Sequence, residues 1–387
     1  MAALDAYEEE HMERLLRVGT CLAMCGYGAQ VGALAATARA FRADVQLWGA
    51  HARYRGPKGR TALMHAALTD NVPRIQFLLE RGADVEAVEA EFGETALLWA
   101  CEEGHSRTAR LLVESGGANA NAAMTTNGTT ALMWASYRGN LEIARFLVER
   151  GGANVNAAQT DNGLTALMWA SQEGHLEVAR FLVERGGANV NAALTTDGMT
   201  ALMWASQEGY QEMVRFLVER GGANVNAAST DDGMTALMLA SQFGHLETVR
   251  FLVERGSASV NAAETASGAT ALIIACEEGH LEISRFLLER GSALVHYVDS
   301  NGVNSLIHAS TKGHLETVRL LLQHGAHVNA VRPQCGSTPL MRASKKGHAA
   351  VVRLLLEHGA LKHLVNHAGR TARDLAASHP LVRAALA

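Results

Sequence analysis

The chain has 387 residues, 48% of them hydrophobic and only 5% aromatic, and its formal net charge is −5. A net negative chain lacks the basic surface that general binding to nucleic acid or to an anionic membrane needs, and no apolar run approaches the ~20 residues that span a bilayer. Five scattered cysteines, Cys21, Cys25, Cys101, Cys276 and Cys335, form no disulfide framework and point to a reducing, intracellular setting, expected to be the cytoplasm, with the nucleus as the alternative.

In chain order, residues 1–57 come first and stand apart from the rest of the chain. DAYEEEHMERLLRV is amphipathic, VGALAATARAFRADVQLWGAH is a second apolar-rich stretch, and RYRGPKGR is a polar break. Their acidic start has neither the basic nor the apolar block of a secretory signal. The expectation is an N-terminal helical segment covering the apolar face of the next unit. ALAATARAFRADVQLW, about residues 33–48, also resembles the C-terminal part of an F-box, without that motif's Leu-Pro opening. That likeness implies docking onto a ubiquitin-ligase adaptor.

From residue 58 to 387 the chain repeats itself. Thr61, Thr95, Thr130, Thr165, Thr200, Thr235, Thr270, Asn304, Thr338 and Thr371 mark equivalent positions, 33 to 35 residues apart. A constant step of this size means one supersecondary unit stacked on copies of itself. In the copy at Thr165, the Thr hydroxyl predicts an N-cap, ALMWASQE a helix, and Gly174 its stop. LEVARFLVER predicts a second helix whose buried face is Leu176, Val178, Ala179, Phe181, Leu182 and Val183. Glu177, Arg180 and Glu184 fall on its water side, where they can pair with one another. GANVNAALTTDG then reads as a hairpin-like loop. One such unit cannot bury its own apolar face, so each copy completes its neighbour's core. The last unit, from about residue 369, is short, and Pro380 is expected to interrupt its second helix and make it a closing cap.

The pattern G-x-T-A-L…A…G-H-L-E…L-L…G-A-x-V-N-A resembles the ankyrin repeat. The likeness covers about residues 58–387, most of the chain, over nine successive units, with Ala where the family has Pro (Ala166, Ala201) and Met133, Met168, Met203 and Met238 in place of its His. It implies an all-α ankyrin-repeat solenoid of helix-turn-helix units. It further implies a protein-binding groove formed by the first helices and the loop tips.

No P-loop, dinucleotide fingerprint or HExxH is present, and CLAMC lacks a second pair at zinc spacing, so no catalysis, cofactor or metal is expected. The histidines after the helix-ending Gly, such as His175 and His245, read as turn residues in separate layers. Trp99, Trp134, Trp169 and Trp204 read as packing between units. Function is expected where units differ. Mapping the family's groove onto this chain selects Tyr137, Arg138, Glu173, Glu208, Gln242, Phe243, Glu277 and Glu278 near the end of the first helices. It also selects Leu164, Met199 and Met234 after the loop Gly, with Asp161, Asp197, Asp231 and Asp232 as an acidic rim. A monomeric scaffold is expected, holding a protein or extended peptide with apolar and basic groups. The alternative is the substrate-recognition subunit of a ubiquitin ligase through residues 1–57.

Overall fold

A computed structural model describes residues 57–387. The helical-cap and F-box-like readings of residues 1–57 fall outside these residues, apart from Pro57 in a short 3-10 turn. Twenty α-helices occur in ten pairs among the described residues. They are α1 (Ala62–Leu68), α2 (Val72–Glu80), α3 (Ala96–Glu102), α4 (Ser106–Glu114), α5 (Ala131–Tyr137), α6 (Leu141–Glu149), α7 (Ala166–Gln172), α8 (Leu176–Glu184), α9 (Ala201–Glu208) and α10 (Gln211–Glu219). The chain continues through α11 (Ala236–Phe243), α12 (Leu246–Glu254), α13 (Ala271–Glu278), α14 (Leu281–Glu289), α15 (Ser305–Lys312), α16 (Leu315–Gln323), α17 (Pro339–Lys346), α18 (Ala349–Glu357), α19 (Ala372–Leu375) and α20 (Pro380–Ala385). Odd-numbered helices open a repeat and even-numbered ones close it. Among the described residues the loops make only isolated bridges, such as Ala158 with Thr165 and Ala193 with Thr200, so the fold is an all-α repeat array.

Two compact units divide these residues. The first takes in residues up to Ala135 together with Glu142–Asn154; the second comprises Ser136–Leu141 and Val155–Ala387. In the first, α1 packs on α3 and α2 on α4. In the second, α7, α9, α11, α13, α15, α17 and α19 pack in sequence as one layer, and α8 through α20 as another.

The periodic residues each have a physical task. Thr165 Oγ1 accepts from Met168 N at 3.4 Å and Thr61 Oγ1 from Met64 N at 3.2 Å, so both cap their helices. Asn304 takes over the same duty with its longer side chain, accepting from Ile307 N at 2.9 Å. Gly174 comes after α7 at φ +76°, where an L residue is strained, and a Cβ there would meet the Tyr210 ring at 2.8 Å. Val178, Ala179, Phe181 and Leu182 are buried as expected, while Leu176 and Val183 are only half-buried. Each fully buried leucine of this kind stabilises the stack by about 1.5–3 kcal/mol.

Three ladders join neighbouring repeats. The Nε2 of His245 bonds Gln207 O at 2.8 Å, His280 bonds Gln242 O at 2.9 Å and His314 bonds Glu277 O at 2.9 Å, each ring occupying the carbonyl end of the preceding repeat's first helix. Asn191 Nδ2 donates to Gly222 O at 3.2 Å while its Oδ1 accepts from Asn224 N at 2.7 Å, and Asn226 spans the next gap through Ser257 O and Ser259 N. The guanidinium of Arg180 lies 5.2 Å from the Phe216 ring centre, with Arg215 over Phe251 and Arg250 over Phe286 in the same way. Arg180 therefore covers the next repeat's aromatic ring as well as making the expected pair with Glu177 (3.7 Å) on the water side.

The closing repeat departs from its expectation in one respect. Pro380 does not interrupt a helix; it is the first residue of α20, where its missing N–H costs nothing and its fixed φ suits the helix start.

Candidate functional site

All eleven candidate contact residues lie in the second unit. They sit either on the carboxyl ends of the odd-numbered helices or on the loop tips beside them. The two groups behave differently.

On the helix ends the side chains reach solvent. Phe243, the last residue of α11, is 50% exposed. Arg138, Glu208, Gln242 and Glu278 are exposed, and Tyr137, Glu173 and Glu277 are half-buried. Tyr137 meets Trp169 of the next repeat edge-on, with ring centres 5.0 Å apart, and Arg138 stacks 5.6 Å over the Tyr137 ring. This makes a cationic-aromatic corner held from two sides. Gln207 Nε2 donates to Glu208 Oε1 at 3.0 Å. Glu277 is already engaged: its carboxylate lies 3.3 Å from His308 Nδ1 and 3.3 Å from Lys312 Nζ, and His308 Nε2 reaches Asp299 at 3.1 Å.

The loop-tip residues turn inward, against expectation. Leu164 and Met199 are only 5% and 8% exposed and Met234 is half-buried, so they do not form an outward apolar strip. The tip folds back on itself. Leu164 N donates to Asn162 Oδ1 and Leu164 O accepts from Gln159 N, both at 2.9 Å, and Met199 repeats this with Asp197 and Leu194. That turn carries the residue after the loop Gly into the stack. Two of the rim acids, Asp197 and Asp232, spend an oxygen on these turns, on the amides of Met199 and Met234 at 3.0 Å each.

The fourth helical position after the cap packs between repeats, as expected for Trp169, which meets Tyr137, and it is half-buried at all but one place in the second unit, Leu239 being buried. In the second unit it runs Trp169, Trp204, Leu239, Ile274, His308 and Arg342. Residue type thus changes along this one register position.

Loop carboxylates differ sharply. Burial alone would raise Glu264, but Ser267 Oγ and the amides of Ala269, Ser267 and Ala266 donate to it and hold it below the usual range. In the first unit Glu94, 7% exposed, is pushed up to about 7 by burial and then by the charges of Glu102 and Glu89. Among the described cysteines, Cys101 and Cys276 are buried, and burial pushes the Cys276 thiol up to about 12. No group of three or more His, Cys, Asp or Glu with metal-holding geometry occurs among the described residues, and no helix there is long and apolar enough to cross a membrane.

Comparison with known families agrees with this architecture. A family model described as ankyrin repeats (3 copies) matches residues 43–124, 63–159, 116–193, 187–263 and 257–332. A second, described as ankyrin repeats (many copies), matches residues 321–376.

Proposed function

Since the chain belongs to the ankyrin-repeat family, whose repeats generally serve as protein–protein interaction modules, we propose that it is a non-catalytic intracellular scaffold. It holds a protein or extended peptide along the odd-numbered helices of the second unit. Phe243 carries this reading. At the register position where Glu173, Glu208 and Glu278 are charged, α11 ends on a half-exposed phenylalanine. Its burial by a ligand would recover the hydrophobic free energy that exposure forgoes, and aromatic side chains are the favoured anchors of interfaces. Tyr137 with Arg138 offers a second anchor, and Glu173, Glu208 and Glu278 between and beyond them favour a ligand with basic groups near its apolar ones. Leu164 and Met199 are not contacts in this proposal; they support the tips from inside.

A photo-cross-linking amino acid placed at Phe243 and, separately, at Arg255 on the closing-helix side tests the surface. Capture of a discrete protein from position 243 and none from 255 is expected. The reverse pattern would move the working surface to the even-numbered helices and end this reading.

A further inference from the structure

Residues 319–387 contain ten Lys or Arg against two acids, Glu357 and Asp374, in a chain whose formal net charge is −5. Four of those cations line one cavity of about 480 Å³ between the loop tips that precede α17 and α19. Arg332 comes from the first tip, Arg342 and Lys345 from α17, and Arg370 from the second tip, with the His367 imidazole beside them. No carboxylate belongs to the lining.

Among the described residues none of the four forms an ion pair, the Arg332 Nε is buried without a hydrogen-bond partner, and Arg342 spends its Nε on Thr311 Oγ1 at 3.2 Å. Asp374 accepts from Thr371 N and Oγ1 at 2.8 and 2.7 Å, and these bonds, ahead of the charges of Arg370 and Arg373, hold its carboxyl below the usual range. The register sharpens the point. Arg332 N bonds Ser337 O at 2.9 Å as Glu264 N bonds Ala269 O at 3.0 Å, so the two residues are structural equivalents. Glu264 and Asp299 turn their carboxylates onto their own tip amides. At Arg332 the charge is reversed and the side chain has no acceptor to offer. The thiol of Cys335 reports the local field: burial would raise it, but hydrogen bonding with Ser337, then the charges of Arg332 and Arg342, hold it below the usual value.

We propose that this cavity binds anionic side chains, carboxylate or phosphate, of a peptide segment. The peptide nature of the ligand rests on the scaffold reading above; its charge rests on the cavity. Guanidinium groups pair with both kinds of oxyanion in bidentate fashion, and the volume falls in the ~300–1,000 Å³ of small-ligand sites. A nucleic-acid strand is disfavoured because no Phe, Tyr or Trp lines the cavity to stack a base.

The test titrates the full chain with fluorescein-labelled hexaglutamate, a phosphoserine peptide, inorganic phosphate and a single-stranded oligonucleotide at low ionic strength. Saturable binding of either peptide is expected, together with protection of Cys335 from iodoacetamide, read by mass on its own proteolytic fragment; which peptide binds tighter identifies the oxyanion. Arg342→Glu combined with Arg370→Glu should weaken it at least about tenfold, and Arg342→Gln with Arg370→Gln should reproduce the loss while sparing the fold. Lys346→Glu, outside the lining, should weaken it less than about threefold. Binding of phosphate without either peptide, displacement of hexaglutamate by equimolar oligonucleotide, or indifference to the arginine substitutions would each overturn the proposal. Phe243→Ala leaves hexaglutamate binding unchanged, so failure at the helix ends and failure at the cavity are separate results.

Discussion

The repeats opening at Thr165 and Thr200 and those opening at Asn304 and Thr338 share a skeleton and little else on their first-helix surface. In both pairs an N-cap oxygen accepts from the third helical amide, a small residue ends the helix, and buried leucines fill the same layer. Outside that skeleton the first pair offers Trp169, Trp204, Glu173 and Glu208, and the second offers His308, Arg342, Lys312, Lys345 and Lys346. The stack tolerates this because its stability is a sum of local and nearest-neighbour terms. The exposed helix positions enter few of those terms, so they are free to diversify and to acquire a ligand.

The strongest way to break the comparison is to strike the shared skeleton. Leu182→Ala and Leu355→Ala remove equivalent side chains with no solvent exposure. Each should cost about 2–5 kcal/mol, read by urea unfolding and by local hydrogen exchange. A cost confined to one of the two would show that the skeletons are not equivalent.

Two loop carboxylates, one in each unit, stand in opposite environments. Glu94, at about 7 in the folded chain, keeps its proton between about pH 4.5 and 7, where the unfolded chain releases it. Folding stability therefore falls as pH rises through that window. Glu94→Gln should be near neutral at pH 4 and stabilising by on the order of 1–3 kcal/mol at pH 8. Glu264 has the opposite sign: its lowered value contributes stability above the ordinary glutamate range that is lost on acidification. Glu264→Gln should destabilise at pH 8 and do less harm at pH 3. Thermal melts across pH check both, and parallel curves for the two variants would contradict the assigned environments.

The histidine ladder should matter equally in both regions. His245→Ala and His348→Ala each remove one bond to the preceding repeat, to Gln207 O and Thr311 O, at about 1 kcal/mol. Equilibrium unfolding that finds one of them silent would mark its ladder bond as idle. The smallest effect belongs to Asn304→Thr. It swaps one capping oxygen for another and should shift stability by no more than a few tenths of a kcal/mol.

Much of this was legible from residues alone. The spacing of Thr and Asn fixed every first-helix start, and the helix-ending Gly before each His fixed the turn. Phe243 and Tyr137 were correctly singled out as side chains that reach solvent. What failed depended on three dimensions. Leu164 and Met199 are buried because their tips close through Asn162 and Asp197, a turn that composition does not orient. The pairing of Arg180 with Glu177 is as the spacing predicts, but its stacking on Phe216 is not, because that ring belongs to the next repeat. Pro380 resembled a breaker because the start of α20 was placed too early. The cationic cavity was partly legible: the excess of Lys and Arg after residue 319 stands in the sequence, but averaging it into a net −5 concealed it.

The histidine bonds also impose a timetable. Gln207 O receives its ring from a residue 38 positions further on, and synthesis delivers the N-terminal side first. While the chain is still leaving the ribosome, α9 lacks the bond that finishes it, and from the synthesis of Gln207 must wait roughly two seconds or more, at ~5–20 residues per second, for His245 to emerge. The nascent array thus carries an unfinished first helix wherever such a histidine has yet to emerge. A pause placed within those 38 codons would prolong its exposure, whereas one placed just after them would not.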